Sequence, residues 1–310
     1  MSKFLYLTGR NVKLFFKDKG MFFASMITPI ILLVLYATFL SRVFEESFVA
    51  GFPKEFSVPD KLIDGFVGGE LLSALLAVCC VTVAFSSNMV MIQDKVKGAI
   101  HDILIAPVGK SVVALSYYVA TLISTLLICY SALIIGMIYL GAVGWYMSAG
   151  DVFMIMLDVL LLSLFGTALS SIINFFLSSQ GQMSAVGTIV SAGYGFICGA
   201  YMPIAQYGKG LQNVLSLLPG TYGTSLLRNH SLNGIFRELD GMNVPSEVIE
   251  SVKDSLDCNI YFFDSKVSLG AMFAIVLLST VILAAVYVAL NAEWKKHNKK
   301  YKTPKTQVEG

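Results

Sequence analysis

Phe66-Val-Gly-Gly-Glu-Leu-Leu-Ser-Ala-Leu-Leu-Ala-Val-Cys-Cys-Val-Thr-Val-Ala-Phe-Ser-Ser-Asn-Met-Val-Met91 is a run of 26 residues with one charged side chain, Glu70, near its start. About 20 mostly apolar residues suffice to cross hydrocarbon, and a helix apolar on every face belongs in a large core or in lipid. The rest of the chain decides between them. Of 310 residues, 56% are hydrophobic and 14% charged, with a mean hydropathy of +0.73, whereas soluble domains carry about 25% charged residues. The expected class is therefore an all-α membrane protein.

Five further apolar runs cover residues 21–40, 111–140, 152–177, 183–202 and 268–291, giving six expected spans. Basic residues mark the cytoplasmic side. Residues 1–19, the segment between spans 2 and 3 and the tail 292–310 hold 14 basic against five acidic residues, and the remainder holds eight against fifteen. Both termini are accordingly expected in the cytoplasm of a cell whose plasma membrane the chain crosses. The net charge of +2 provides no broad basic field for nucleic acid.

Residues 1–19 place Lys3, Arg10, Lys13 and Lys17 on one side of a helix and Phe4, Leu5, Val12, Phe15 and Phe16 on another, with Leu7 and Leu14 intruding on the basic side. An amphipathic interfacial helix and a simple positive flank both fit. Cys79, Cys80, Cys129 and Cys198 fall within spans, where a thiol is a small apolar group, and Cys258 is expected free or buried.

Gln93–Lys110, between spans 2 and 3, carries Ile100, Ile103 and Leu104 at helical spacing before Pro107. It reads as a short cytoplasmic docking helix or as a linker with accidental periodicity. The first is favoured because a helical hairpin needs only a few residues to turn. Gly109-Lys110-Ser111 is no phosphate loop: the required earlier glycine is replaced by Leu104, and no strand precedes it. The chain thus has no ATP site of its own, no catalytic residues and no metal or cofactor set.

After span 5, residues 203–228 form short apolar stretches broken at Pro203 and Pro219. They read as re-entrant elements, permitted where protein buries the broken backbone, or as a loop lying on the membrane. Residues 229–266 are polar and acidic, with Val248, Ile249, Val252 and Leu256 on one helix face, and imply a small extracellular cap. Asn229-His230-Ser231 matches a glycosylation sequon, a motif short enough to arise by chance.

These residues resemble the permease subunit of ABC transporters of the ABC-2 type. Gly98 and Pro107 keep the interval of that family's cytoplasmic loop, with His101 where Glu is usual. Gly199, Pro203, Pro219, Thr221, Tyr222 and Arg228 match its motif after the fifth span, although a second proline near Tyr207 is missing. The resemblance runs from the amphipathic start to the last span. It implies an ATP-driven exporter of two permeases, identical or sister chains, with ATP and Mg bound by a separate ATP-binding-cassette subunit. The docking surface so implied is Lys97, Gly98, His101, Asp102, Ile103, Leu104 and Pro107.

For the path, Thr82, Ser86 and Asn88 form a polar patch in span 2, and Tyr194, Phe196, Tyr201 and Met202 beside small residues of span 5 would form an outer gate; helix packing is the competing reading for both sets. Asp158, inside span 4, must face protein or water, as a cargo contact or a structural pair. Glu70 carries a weaker signal at a span end. The expected cargo is a hydrophobic or amphipathic drug, antibiotic or peptide. A lipid-linked glycan is the nearest alternative, and a membrane sensor or a secondary transporter is the alternative from another class. A secondary transporter should show inverted repeats and ion-coupling charges, which the sequence does not display. An intramembrane enzyme would need convergent ionisable groups, but His101, His230 and His297 are all expected outside the bilayer.

Overall fold

The computed structural model describes residues 2–52 and 58–297, so the basic tail from residue 298 onward lies outside the described residues. Twelve α-helices and one small hairpin make up the described chain. Helix α1 (Ser2–Lys17) leads into α2 (Lys19–Leu35), whose first turn is capped by the Asp18 carboxylate accepting from the Met21 N–H at 3.1 Å. α2 carries Pro29 and passes through a π-helical turn, Tyr36–Leu40, into α3 (Ser41–Ala50).

The quoted stretch lies inside α4 (Asp60–Val96), a 37-residue helix about 55 Å long. Its most apolar window is 94% buried by protein, against 22% for α6 (Lys110–Val143) and 17% for the last helix, α12 (Leu269–His297). α4 is thus the central strut, and the outer helices turn their apolar residues to the surroundings. Small residues let neighbours close on it: a Cβ on Gly166 of α7 (Ala149–Phe176) would lie 2.6 Å from the Cys80 carbonyl oxygen of α4.

Among the described residues, five helical segments are long and apolar enough to cross a membrane: Lys19–Val49, Asp60–Val96, Lys110–Val143, Ala149–Phe176 and Leu269–Asn291. The counterpart of the expected fifth span, α8 (Gln180–Ile197), has 18 residues and falls below that measure. It stops because Gly199 takes φ +79°, a left-handed conformation that ends a helix.

Beyond it come a 3₁₀ turn (Ile204–Gln206), α9 (Lys209–Leu215), α10 (Pro219–Gly241) and α11 (Ser246–Ser255). The boundary expected at residue 228 does not exist, since α10 runs through it as one 23-residue helix packed on α4, α7 and α12. Ile249, Val252 and Leu256 are buried, as the periodicity of the cap predicts. The hairpin of β1 (Ile260–Phe262) and β2 (Ser265–Val267) completes the cap, with Ile260 opposite Val267.

α1 has three faces rather than the expected two. Leu7, Thr8, Asn11 and Phe15 are buried against the bundle, Leu5 and Phe16 are exposed, and Lys3, Lys13 and Lys17 form an exposed basic edge. Leu7 intrudes on the basic side because that edge borders the face packed on α6.

Candidate functional site

At the end of the bundle where α1 lies, α4 terminates at Gly98, whose φ of +78° reverses the chain into α5 (Ala99–Ile105). Ala106 is extended (ψ 150°), the conformation a residue before proline must take, so Pro107 closes α5. Of the seven residues expected to dock a partner, Lys97, Asp102 and Pro107 are exposed, while Ile103 is half-buried and packs on the core. The side chains of His101 and Leu104 lie outside those described. Ile105, 83% exposed, was missed by the sequence reading and presents an apolar side chain on this surface.

The loop is tied to the bundle through α1. Lys3 Nζ donates to the Pro107 carbonyl at 2.9 Å. The Arg10 guanidinium meets Asp94 near the end of α4 with both terminal nitrogens, at 2.7 and 3.2 Å, and the Tyr117 hydroxyl of α6 donates to the same carboxylate at 2.6 Å. Bidentate pairing of this kind fixes orientation as well as distance. The hydrogen bond to Asp94 holds Arg10 above its ordinary pKa. One acid therefore joins three helices.

The opposite end is organised by Arg228 of α10, whose side chain is fully buried. Its Nε donates to Glu70 Oε2 of α4 at 2.9 Å, one terminal nitrogen donates to the Gly199 carbonyl at 3.0 Å, and the other lies 3.7 Å from Asp257 Oδ2. Asp257 follows α11 and accepts from the backbone N–H groups of Ile204 and Ala205, the latter at 2.8 Å. Burial pushes its carboxyl above the ordinary range, against the opposing pull of Arg228 and those two N–H groups. A side chain at Gly199 would crowd this carboxylate, with a Cβ 3.0 Å from Oδ2. Pro203 precedes the 3₁₀ turn that Asp257 holds. Pro219 opens α10, where Tyr222 and Thr221 donate to the Ser216 and Leu215 carbonyls at 2.6 and 2.9 Å. Glu70, the weaker signal at a span end, is the acid that ties Arg228 to α4. The signal was there, since it is the only charge in the quoted run.

The expected path residues separate into two groups. Thr82, Ser86 and Asn88 are buried within the bundle; Thr82 donates to the Val78 carbonyl of its own helix, and Asn88 donates to Ser170 and Ser171 of α7 at 3.2 and 2.9 Å. Their contacts are those of helix packing. Tyr194 is also turned inward, against Gly220 at the start of α10. Phe196, Tyr201 and Met202 instead line a cleft of about 650 Å³, together with Phe39, Phe44 and Gln206. Phe196 stacks edge-to-face on Tyr201, with centroids 5.1 Å apart.

α10 also faces α7 with polar groups. His230 Nδ1 lies 2.5 Å from Asp158 Oδ2, so this histidine pairs with the acid of α7. Arg237 and Asn233 reach Asp151, the first-turn acid of α7, at 2.9 and 2.6 Å. Asn229 is half-buried and donates to the carbonyls of Ser225 and Cys258, so the sequon's amide is already engaged. Cys258 itself is buried and free.

A model of the family described as ABC-2 type transporter matches residues 2–230, from α1 through the buried Arg228. No curated protein and no solved structure matches the chain.

Proposed function

The chain belongs to the ABC-2 type transporter family and is therefore the membrane subunit of an ABC transporter; from that premise we propose that it exports a hydrophobic or amphipathic compound, driven by ATP hydrolysed on a separate cytoplasmic subunit. In this reading the basic end is cytoplasmic, α8 with its following turn serves as the sixth, shortened crossing, and two permeases, identical or sister chains, enclose the path in the plasma membrane. Mg-ATP stays on the partner, and α5 with Lys97, Asp102, Ile105 and Pro107 receives it.

The observation that carries the proposal is the continuity of α4. Its basic end is joined to α1 and α6 at Asp94, and its other end holds Arg228 and the turn after α8 through Glu70. Packed helices shift as rigid bodies. A push on α5 is passed through Gly98 to α4 and from there to the pair that shapes the Phe196–Tyr201 cleft. Phe196, Tyr201 and Met202 are then the outer gate.

The test is reconstitution with the co-purifying ATPase, comparing ATP-dependent export from vesicles for wild type and for variants with the 98–107 loop altered. A stoichiometric ATPase whose activity follows the loop supports the reading. Purification of the chain without any ATPase refutes it.

One observation favours a second cargo, a lipid-linked glycan: the outer cleft combines aromatic Phe39, Phe44, Phe196 and Tyr201 with polar Ser47, Gln206, Ser251 and Ser255, a mixture suited to sugar faces and hydroxyls. Stimulation of the ATPase by a glycolipid but not by simple amphiphiles would select this cargo.

A further inference from the structure

α2 and α6 both lie on α4, and between them runs a cleft of about 950 Å³ with Leu72 and Leu75 on its floor, Met26 and Leu33 on one wall and Leu127 and Ile135 on the other. Leu33, Leu127 and Ile135 are 43%, 52% and 68% exposed, so the cleft opens sideways, into hydrocarbon for a membrane-spanning chain. An empty cleft would forfeit dispersion contacts along its length, and its nearly apolar walls give water few partners. A hydrocarbon chain meets both conditions.

The cleft reaches the elbow between α1 and α2, where Phe16 and Phe22 line it. Lys17 and Lys19 are exposed there. Asp18 between them is turned inward, accepting from the Met21 N–H at 3.1 Å and from Gln93 at 3.3 Å. Lys17 and Lys19 follow Phe16 and precede Phe22 in the chain, so the elbow at this end of the apolar cleft carries two positive charges, which calls for an acidic head on a hydrocarbon tail.

We infer that the cleft between α2 and α6 holds the acyl chains of an acidic phospholipid whose headgroup rests on Lys17 and Lys19. The cleft is lined by none of the docking residues around α5 and by none of Glu70, Arg228 and Asp257. Its assignment to the inner leaflet rests on the orientation proposed above.

Full-length protein stripped of lipid in neutral detergent is titrated with dioleoyl phosphatidylglycerol and, separately, dioleoyl phosphatidylcholine, and the complexes are counted by native mass spectrometry. Phosphatidylglycerol binds more tightly, and Lys17→Gln with Lys19→Gln weakens it about 30-fold, at about fivefold per lysine, leaving phosphatidylcholine unchanged. Ser131→Trp, which fills the cleft from α6, weakens both lipids; displacing two methylenes amounts to about tenfold. Ala132→Phe fills the same space if the tryptophan variant does not fold. The inference is overturned if the filled variants bind as wild type does, which would mean surface charge alone holds the lipid. Equal binding of the two lipids overturns it too, as does a cross-link between Ser131 positions of two chains, which would place a second copy in the cleft. Lipid binding requires neither ATPase nor cargo, so failure here leaves the transporter reading standing.

Discussion

Replacing Arg228 with methionine removes the cation that Glu70 and Asp257 share. The side chains of Arg228 and Glu70 are both fully buried, with 2.9 Å between Nε and Oε2. Breaking such a pair costs about 3–5 kcal/mol because a desolvated charge is left behind. Glu70→Gln should cost less, since glutamine still accepts from Nε and Asp257 still balances the cation. The double variant Glu70→Gln/Arg228→Met should recover part of the loss, with a coupling of about 1–3 kcal/mol. The assay is reversible denaturation of wild type, both singles and the double in mixed micelles. Arg228→Met within about 1 kcal/mol of wild type, or a double no more stable than Arg228→Met, would refute the reasoning and reduce Arg228 to a packing residue.

Glu250 is held down to about 2 by Lys266 first and by Lys253 and Asn259 after it, against the opposing effect of burial. A lowered carboxyl pKa stabilises the fold above its ordinary value near 4.5 and loses that contribution as pH falls through about 2. Amide protection of β2 should therefore fall across that window, and Glu250→Gln should remove the dependence. Gly98→Val forces a β-branched residue to φ +78°, a strain of about 1–2 kcal/mol that stability should lose; ATP-driven transport should drop even where the variant stays fully folded, and unchanged transport would deny the loop a coupling role. Asn88→Val deletes the bonds to Ser170 and Ser171. Interhelical bonds in membranes average about 0.6 kcal/mol, so the variant should fold and transport, and a selective loss of cargo handling would return Asn88 to the path.

The helices were legible because lipid enforces a long apolar run for each crossing, and only α8 fell short of that rule. Its glycines and serines lower its hydropathy, and the helix ends before Gly199. The short helix before Pro107 was readable from three apolar positions and one proline. What could not be read was pairing at a distance. Glu70 and Arg228 are 158 positions apart, and nothing in the local pattern of either says that they meet. The same holds for Asp94 with Arg10, and for His230 with Asp158, where hydropathy assigned one partner to the exterior. The continuity of α10 across residue 228 was hidden for a related reason: its polar residues looked like the start of a loop, but they face acids on α4 and α7.

The motif after α8 has a physical meaning once its bonds are traced. Between Gly199 and Pro219 the backbone departs from regular long helix, and each buried N–H and C=O freed from a helix needs a partner. Arg228 takes the Gly199 carbonyl, Asp257 takes the N–H groups of Ile204 and Ala205, and Thr221 and Tyr222 take the carbonyls of Leu215 and Ser216. A segment fastened by individual side-chain bonds, each worth about 0.5–1.5 kcal/mol net, opens more readily than a buried helix, in which every turn must break together. The turn bearing Tyr201 and Met202 is therefore the part of this end suited to move, and Arg228, bonded to both Glu70 and the Gly199 carbonyl, is its tie to α4.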